Sequence, residues 1–371
     1  MSIKISGTDA IDNNRKGLFQ SANIGTFNPG NRPGSASTGD IIYNTSTAQM
    51  EVWNGSSWVR ACGVDLTEYS GTGGNEIVTS NGHKIHIFTS PGTFSISPGA
   101  VVEYVVLAGG GSGYLASQYF GGGGGGAGGL IYNTATLGGS YSVSVGAGAA
   151  APPSSPGGGS NSSIPTLGVT ATGGGAGGGV SFNPGSGGQP GGCGGGTGGN
   201  PFTGGDGNTP PTSPIQGFPG RGGGGALAGG GGGVMSIGKL ANPTPTPQGG
   251  YGGDGGDGIS LEWGIPPSYG APDPKGNPSV RTFGGGGGGG VFAHTSPPGI
   301  YDASPRVGQG GSGGGGDASA VAPPYTDAPP NSNGVATSGG GGGGGSRWGT
   351  IDSRGGAGGS GIVMFRYRIY Q

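Results

Sequence analysis

Gly233-Val-Met-Ser-Ile-Gly-Lys-Leu240 carries the glycine and lysine spacing of a loop that cradles phosphate with backbone N–H groups and one ammonium. Leu240 stands where that chemistry needs a Ser or Thr hydroxyl for Mg²⁺, so the segment reads as ordinary glycine-rich chain. Gly252-Gly-Asp-Gly-Gly-Asp-Gly-Ile-Ser260 matches one calcium-binding nonapeptide, a motif that works only in stacked copies. Its nearest echo, Gly355 to Val363, has Ser360 where a carboxylate should stand, and a lone copy cannot complete the oxygen shell of Ca²⁺. A glycine helix running into a strand is the better reading of both. His83 and His86 are three apart on an expected strand and so face opposite sides, a poor metal pair, and His294 lies in a loop. Cys62 and Cys193 show no disulfide framework or metal spacing and read as free thiols. Carboxylates are scattered singly. No triad or proton-transfer pair assembles from these residues, and the expectation is a protein that is not an enzyme, with no metal and no cofactor. A depolymerase whose acids meet only in space stays open beside it.

The composition explains why such false motifs abound. Of 371 residues, 104 are glycine and 30 proline, while 9% are charged and 30% hydrophobic. Unpatterned Gly and Pro at this level usually mean low-complexity disorder, but disorder comes with high charge and few aromatics. Here 13 tyrosines, 11 phenylalanines and 4 tryptophans argue for order. A net charge of -2 offers no broad attraction for nucleic acid or anionic membrane, so no nucleic-acid partner is expected. The first residues have no apolar core of a Sec-type signal, and Val101 to Ala108 is too short to span a bilayer, which gives the expectation of a soluble chain.

Three regions follow from the pattern. Residues 1–62 have normal complexity and read as a small β module, with strands at Asp40 to Tyr43, Gln49 to Trp53 and Ser57 to Arg60, and a type I′ hairpin at Asn54-Gly55. Residues 63–108 alternate with period two at Lys84 to Thr89, Thr93 to Ser97 and Val101 to Leu107, with turns expected at Pro91-Gly92 and Pro98-Gly99. Residues 362–371 close the chain in the same manner, and Ile362 to Ile369 is expected to pair with Val101 to Leu107, making one β base from both ends of the intervening chain.

Residues 109–361 form the third region, where glycine runs alternate with segments rich in Pro, Ser, Asn and aromatics. A flexible linker would not alternate this way. An extended threefold helix of the polyproline II type has no internal hydrogen bonds, so each buried N–H and C=O must find a partner on a neighbouring helix. Backbones approach that closely only without Cβ. The fold class expected is therefore mainly β and irregular, with almost no α-helix: a small N-terminal β module, a β base and a packed bundle of polyglycine II helices with long connecting loops.

Two stretches carry a resemblance. "GDIIYNTSTAQMEVWNGSSWVRA" resembles a segment that recurs in structural proteins of tailed phages, often near the end that joins the particle. "IHIFTSPGTFSISPGAVVEYVVLAGGGSG", "GGGGGGAGGLIYN", "YSVSVGAGA", "GVTATGGG" and "GGAGGSGIVMFRYRI" are similar to the glycine-rich C-terminal domain of many phage tail fibres and to T-even-type fibre-tip adhesins, over residues 83–371. That resemblance implies a virion surface protein, of the tail fibre or adhesin kind, that binds a host cell-surface receptor, an outer-membrane protein or a polysaccharide, outside the host cell. It implies other tail or virion proteins as partners, with a homotrimer open beside a monomer. The alternatives are a purely structural fibre or decoration protein and an envelope polysaccharide depolymerase.

Counting one crossing per long glycine run, from the base and back, places loops 112–120, 180–190, 234–248, 291–309 and 346–354 at the far end. The same count puts 130–172, 200–221, 259–283 and 317–338 beside the base. The far set makes Tyr114, Tyr119, Phe120, Phe182, Lys239, Phe292, His294, Tyr301, Arg347 and Trp348 the receptor-contact candidates.

Overall fold

The computed structural model describes residues 3–5, 8–11, 25–28, 30–46, 49–61, 68–116, 120–151, 156–179, 187–199, 203–242, 250–293, 306–319, 332–348 and 351–369. They belong to two compact units, residues 1–67 and 68–371.

In the first unit, β1 (Ile3–Ile5) and β2 (Thr8–Ile11) form an antiparallel pair. A four-stranded sheet runs in the order β3 (Thr26–Phe27), β4 (Ile41–Asn44), β5 (Gln49–Trp53), β6 (Trp58–Arg60). The three strands expected here are present, but the turn between the last two differs from type I′. Only Gly55 has positive φ, at 102°. Asn54 instead anchors a longer turn, its Oδ1 accepting the N–H groups of Ser56 and Ser57 at 2.9 and 2.8 Å, because a short amide side chain competes well for nearby backbone donors.

The second unit is built on a sheet in the order β11-β10-β20-β9-β8, comprising β8 (Glu76–Ser80), β9 (His83–Phe88), β10 (Gly92–Leu107), β11 (Leu130–Val143) and β20 (Ile362–Arg368). The short β7 (Ser70–Thr72) lies along β10. The closing strand pairs with β10 from Val102↔Tyr367 to Leu107↔Ile362, as the period-two pattern implies. Pro98-Gly99 is no turn. It sits where the β10·β11 register shifts, between Ile96 and Ala100, so one long strand carries a bulge there, a site that tolerates a residue without an N–H. Alternation gives the sheet two apolar faces. Phe88, Phe94, Val102, Phe365 and Tyr367 pack on one side with Ile164 and Ala171. Ile85, Ile87, Val105, Ile362 and Met364 pack on the other with Trp263, Phe283, Val234 and Cys193. The intervening chain adds the short strands β12 (Ser162–Ile164), β13 (Val169–Ala171), β14 (Ile259–Leu261), β15 (Ala271–Pro272) and β16 (Arg281–Phe283), and among the described residues the one helical element is the 3₁₀ turn Pro165–Leu167.

From this base the glycine-rich chain rises as a lattice of threefold helices. Residues 121–129 show its rule. The N–H groups of Gly121, Gly124 and Ala127 donate to the carbonyls of Ala226, Gly229 and Gly232. Those of Gly122, Gly125 and Gly128 donate to Gly345, Gly342 and Gly339, and those of Gly123, Gly126 and Gly129 to Gly178, Gly175 and Thr172. Carbonyls follow the same step of three: Gly123, Gly126 and Gly129 accept from Tyr114, Gly111 and Ala108, Gly122 and Gly125 from Gly290 and Gly287, Gly124 and Ala127 from Gly196 and Cys193. All these bonds measure 2.7 to 3.2 Å. Three donor directions and three acceptor directions give a central helix neighbours on every side. This satisfies every N–H of the run and the carbonyls of Gly122 to Ala127 and Gly129, for a net gain of about 1 kcal/mol per bond and an avoided loss of about 1–3 kcal/mol for each group left unpaired.

Partner order gives direction. The run 226–232 is parallel to 121–129, whereas 108–114, 172–178, 193–196, 287–290 and 339–345 are antiparallel to it. Since 108–114 leaves β10 and 121–129 enters β11, the first set returns to the base and the second leaves it.

The crossing count needs correction, because segments that are not glycine runs also cross. Residues 144–150 and 157–161 make an added hairpin, bonded through Gly361 to Gly146, Gly358 to Ala149 and Ser112 to Gly157. Residues 216–221, 236–241 and 332–335 cross too, through Thr197 to Arg221, Gly230 to Lys239 and Gly343 to Ser332. The turn at Val234 therefore lies in the base core with Phe283, whereas 234–248 was expected entirely at the far end. Segment 317–338 begins at the far end, where Ser319 bonds Gly344, and 200–221 is likewise split. The physical reason is that a threefold helix at the lattice edge needs glycine only on the sides that face neighbours. Edge donors are closed by side chains: Asp254 Oδ1 accepts the Gln309 N–H at 3.0 Å, Asp257 Oδ1 that of Ser312 at 3.1 Å, and Asp317 Oδ1 that of Gly310 at 2.8 Å.

A Cβ on Gly125 would overlap the carbonyl oxygen of Gly111, while one on Gly157 meets only the Ala149 methyl carbon at 3.8 Å. Gly125→Ala is expected to cost about 3 kcal/mol or more, by overpacking against backbone that cannot shift without breaking other bonds. Gly157→Ala should stay within about 1 kcal/mol of wild type. Thermal or denaturant unfolding of the two variants checks this.

Candidate functional site

The far end of the lattice is the candidate site. It is set by the last bonds of the helices that leave the base. Gly345 N–H donates to Tyr114 O at 2.7 Å, Gly122 N–H to Gly345 O at 2.8 Å and Gly290 N–H to Gly122 O at 2.8 Å, which levels the ends of four segments. Beyond them the chain makes a small sheet in the order β17 (Phe292–Ala293), β18 (Arg347–Trp348), β19 (Ile351–Asp352), with Phe292 paired to Arg347 and Ala293 to Trp348 in parallel. Phe292 N–H also donates to Ala226 O at 3.1 Å, tying the sheet to the helix 226–232.

Five of the sequence candidates therefore come to one end: Tyr114, Phe120, Phe292, Arg347 and Trp348. Tyr114, Phe120, Phe292 and Arg347 are half-buried. A Cβ on Gly179 would overlap the Tyr114 ring, so that glycine provides the seat of the aromatic. Lys239 is elsewhere. It lies on the crossing 236–241 at the flank, paired through Nζ with Asp254 Oδ2 at 3.1 Å. Tyr119, Phe182, His294 and Tyr301 fall outside the described residues.

Residues that hold this end in place carry little sequence signal. Ser319 and Ser346 are buried, and Ser346 N–H donates to Ser353 Oγ at 2.6 Å and lies 3.2 Å from Ser319 Oγ. The Ser319 and Ser353 hydroxyls bond each other, and Ser346 Oγ accepts the Val291 N–H at 3.1 Å. This serine cluster clamps the β18–β19 hairpin onto the helix that ends at Val291. Leu227, Ala241 and Val291 form a small apolar cluster beneath it, with Val307 against them. Tyr251 and Arg306, joined by a parallel bridge, flank the same end, Arg306 within the loop 291–309 expected there.

Groups with displaced protonation lie away from this end, and packing accounts for each. Burial pushes the Cys193 thiol up to about 12, and its Sγ lies 3.8 Å from Gly128 O. Cys193 is a free thiol, whereas Cys62 lies outside the described residues. Tyr132 is raised to about 12, first by burial and then by donating to Glu103 Oε1 at 2.6 Å, and Glu103 also pairs with Arg366 at 3.3 Å. Tyr269 is likewise raised to about 12 by burial, with its bond to Glu76 at 2.7 Å. Burial lowers the Arg281 guanidinium, which donates to the carbonyls of Tyr269, Pro267 and Gly270.

His86 is the most constrained of these groups. Its Nδ1 lies 2.7 Å from Gly73 O, which can only accept, so Nδ1 carries the proton and Nε2 accepts from the Tyr367 hydroxyl at 3.2 Å. Tyr367 Oη in turn accepts the Gly71 N–H at 2.8 Å. This chain fastens residues 71–73 to the base, with His86 stacked on Tyr367 and edge-on to Phe94.

Comparison with known proteins follows the geometry. A glycine-rich domain family matches residues 89–368, three quarters of the chain, and the chain belongs to that family. No curated protein matches it. No helix among the described residues is long and apolar enough to cross a membrane.

Burial, above all, lowers the His86 pKa below its ordinary 6.5, with Lys84 adding to the shift and the Gly73 bond opposing it. The unfolded chain therefore binds the proton more readily than the folded one, and stability rises with pH in that window. The contribution is whole above pH 6.5 and is lost as pH falls toward the lowered folded value. The melting temperature should drop on acidification below that point, and a His86→Phe variant should start lower at neutral pH and show a shallower acid slope.

Proposed function

We propose that this chain is a virion surface protein of a tailed bacteriophage, a tail fibre or adhesin whose lattice presents its far end to a host cell-surface receptor. The observation that carries the reading is the division of labour between the two ends of the lattice. One end is locked into a β base with two apolar faces. The other gathers Tyr114, Phe120, Phe292, Arg347 and Trp348 at a three-stranded sheet of two-residue strands clamped by serines. Aromatics and arginine on rigid supports are what recognition surfaces use, because they offer large contact area with little conformational entropy to lose. The wording of residues 39–61 and 83–371 supports the phage assignment through its resemblance to tail proteins. Residues 1–62 would then join the chain to other tail or virion proteins.

A purely structural fibre or decoration protein draws on the same lattice, whose lateral bonds make a stiff body. The two readings part at the cell surface. Full-length protein added to host cells, and to separated outer-membrane protein and polysaccharide fractions, should bind one fraction saturably. Arg347→Ala and Phe292→Ala should weaken that binding at least tenfold, as removal of central aromatic or arginine contacts does, while Lys239→Ala on the flank leaves it unchanged. Equal binding by all three variants would remove the far end from the account. Deleting residues 1–62 should abolish incorporation into particles while cell binding persists.

A further inference from the structure

An asparagine followed by glycine can modify itself, because glycine puts neither a side chain nor a conformational bar between its backbone nitrogen and the neighbouring amide. The chain has three such pairs, Asn54-Gly55, Asn81-Gly82 and Asn333-Gly334. The fold treats them differently. Asn54 Oδ1 is held by the Ser56 N–H, the Ser56 hydroxyl and the Ser57 N–H at 2.9, 3.0 and 2.8 Å. Asn333 Oδ1 accepts the Ala357 N–H at 2.8 Å and the Gly334 N–H donates to Ala357 O at 2.8 Å, so amide and nitrogen are both engaged in the lattice. Asn81 and Gly82 instead make the two-residue turn between β8 and β9, where Ser80 pairs with His83. Their φ values of 48° and 73° are the type I′ geometry of a tight hairpin. Both residues are exposed, and neither the Asn81 side chain nor the Gly82 N–H has a partner among the described residues.

One contact at this turn adds to exposure. His83 Nδ1 lies 2.9 Å from Asn81 O, which can only accept, so Nδ1 carries the proton and donates. That oxygen belongs to the peptide whose nitrogen is Gly82 N. When the nitrogen loses its proton, charge spreads onto the same oxygen, and a donor already aimed there stabilises it. We propose that Asn81 is a deamidation site built into the β8–β9 turn, with Gly82 N as the nucleophile and His83 as the residue that activates it. Gly82 N gives its proton to hydroxide and attacks Asn81 Cγ. A C–N bond forms, the Cγ–Nδ2 bond breaks, and the leaving nitrogen takes a proton from water and departs as ammonia, which closes a succinimide ring. Water then opens the ring at Cγ to give aspartate, or at the Asn81 main-chain carbon to give isoaspartate. The sum is one water consumed and one ammonia released. A hairpin tip opens locally while the core stays folded, so the two atoms can meet in the native protein. Isoaspartate places one more atom in the main chain between residues 81 and 82. Since Gly82 O accepts the Ile369 N–H at 3.0 Å, the extra atom displaces that acceptor and loosens the end of the closing strand.

The proposal does not depend on the adhesin reading, since the turn belongs to the β base. Full-length protein is held folded in mildly alkaline buffer, digested, and read by mass spectrometry for amide nitrogen replaced by oxygen. The Asn81 peptide should convert to both aspartate and isoaspartate, and Asn54 and Asn333 should react roughly tenfold slower or more, because their bonds have to open first. In denaturant the three should react at similar rates, since the fold alone separates them. His83→Ala should slow Asn81 several-fold in the folded protein and leave its rate in denaturant unchanged, a difference that a general effect of the neighbouring residue would not produce. Amide exchange at Ile369 should quicken in the isoaspartate form and stay at the starting rate in Asn81→Asp, which has the new charge without the extra atom. A folded chain that keeps the Asn81 amide while the denatured chain loses it overturns the proposal. Equal reaction at Asn54 or Asn333 in the folded chain does the same, as does a folded His83→Ala variant that deamidates at the wild-type rate.

Discussion

Every buried N–H and C=O in the glycine lattice must be satisfied by another segment of chain, and this requirement governs the rest of the second unit. An α-helix closes most of its bonds within itself, and a strand pair with one neighbour. A threefold extended helix closes none internally, and residues 121–129 divide theirs among segments drawn from across some 240 positions of sequence, from Ala108 to Gly345. No single segment is stable without the others. Side chains in the interior would push those neighbours apart, so glycine is there for what it lacks. The entropy cost of ordering so much glycine is offset chiefly by bonds, since the two large apolar clusters belong to the β base and the far end has only the small Leu227, Ala241 and Val291 cluster.

The base and the far end follow from that requirement. A lattice of crossings has to turn at two levels, and turns need residues other than glycine. At the base the turns at Val234 and the strand end at Phe283 reach into a core with Ile85, Met364 and Trp263. At the far end the turns carry Tyr114, Phe292 and Arg347, with the Ser319, Ser346 and Ser353 hydroxyls satisfying the backbone that the lattice leaves open. The edges present a third problem, because a row of unpaired donors would recruit more chain. Asp254, Asp257 and Asp317 close that row with carboxylate oxygens at 2.8 to 3.1 Å, the same role that charged residues fill at exposed sheet edges.

How much of this was legible depends on where a residue sits in the lattice. Interior runs such as 121–129 and 339–345 announce themselves, since every position there faces a neighbour. Edge crossings such as 236–241 do not, because Ile237, Lys239 and Leu240 point outward and only Gly238 needs to be bare. Counting glycine runs therefore put the Val234 turn at the wrong end while placing 291 and 346 correctly. The strands of the base were readable from alternation, and their pairing from their positions flanking the glycine region. Pro98-Gly99 was misread because a bulge inside one long strand uses the same residues as a turn. The bond chain from Gly73 through His86 and Tyr367 to Gly71 spans nearly 300 positions and leaves no local pattern.

The central claim, that lateral hydrogen bonds hold the glycine runs in a lattice, is open to amide hydrogen exchange read residue by residue over 121–129. In this lattice every one of these N–H groups is bonded and enclosed, so all of them should exchange only with global unfolding, at a common slow rate and without alternation along the run. Exchange as fast as in a flexible glycine linker, or protection at every second residue as in an edge strand, would contradict the account.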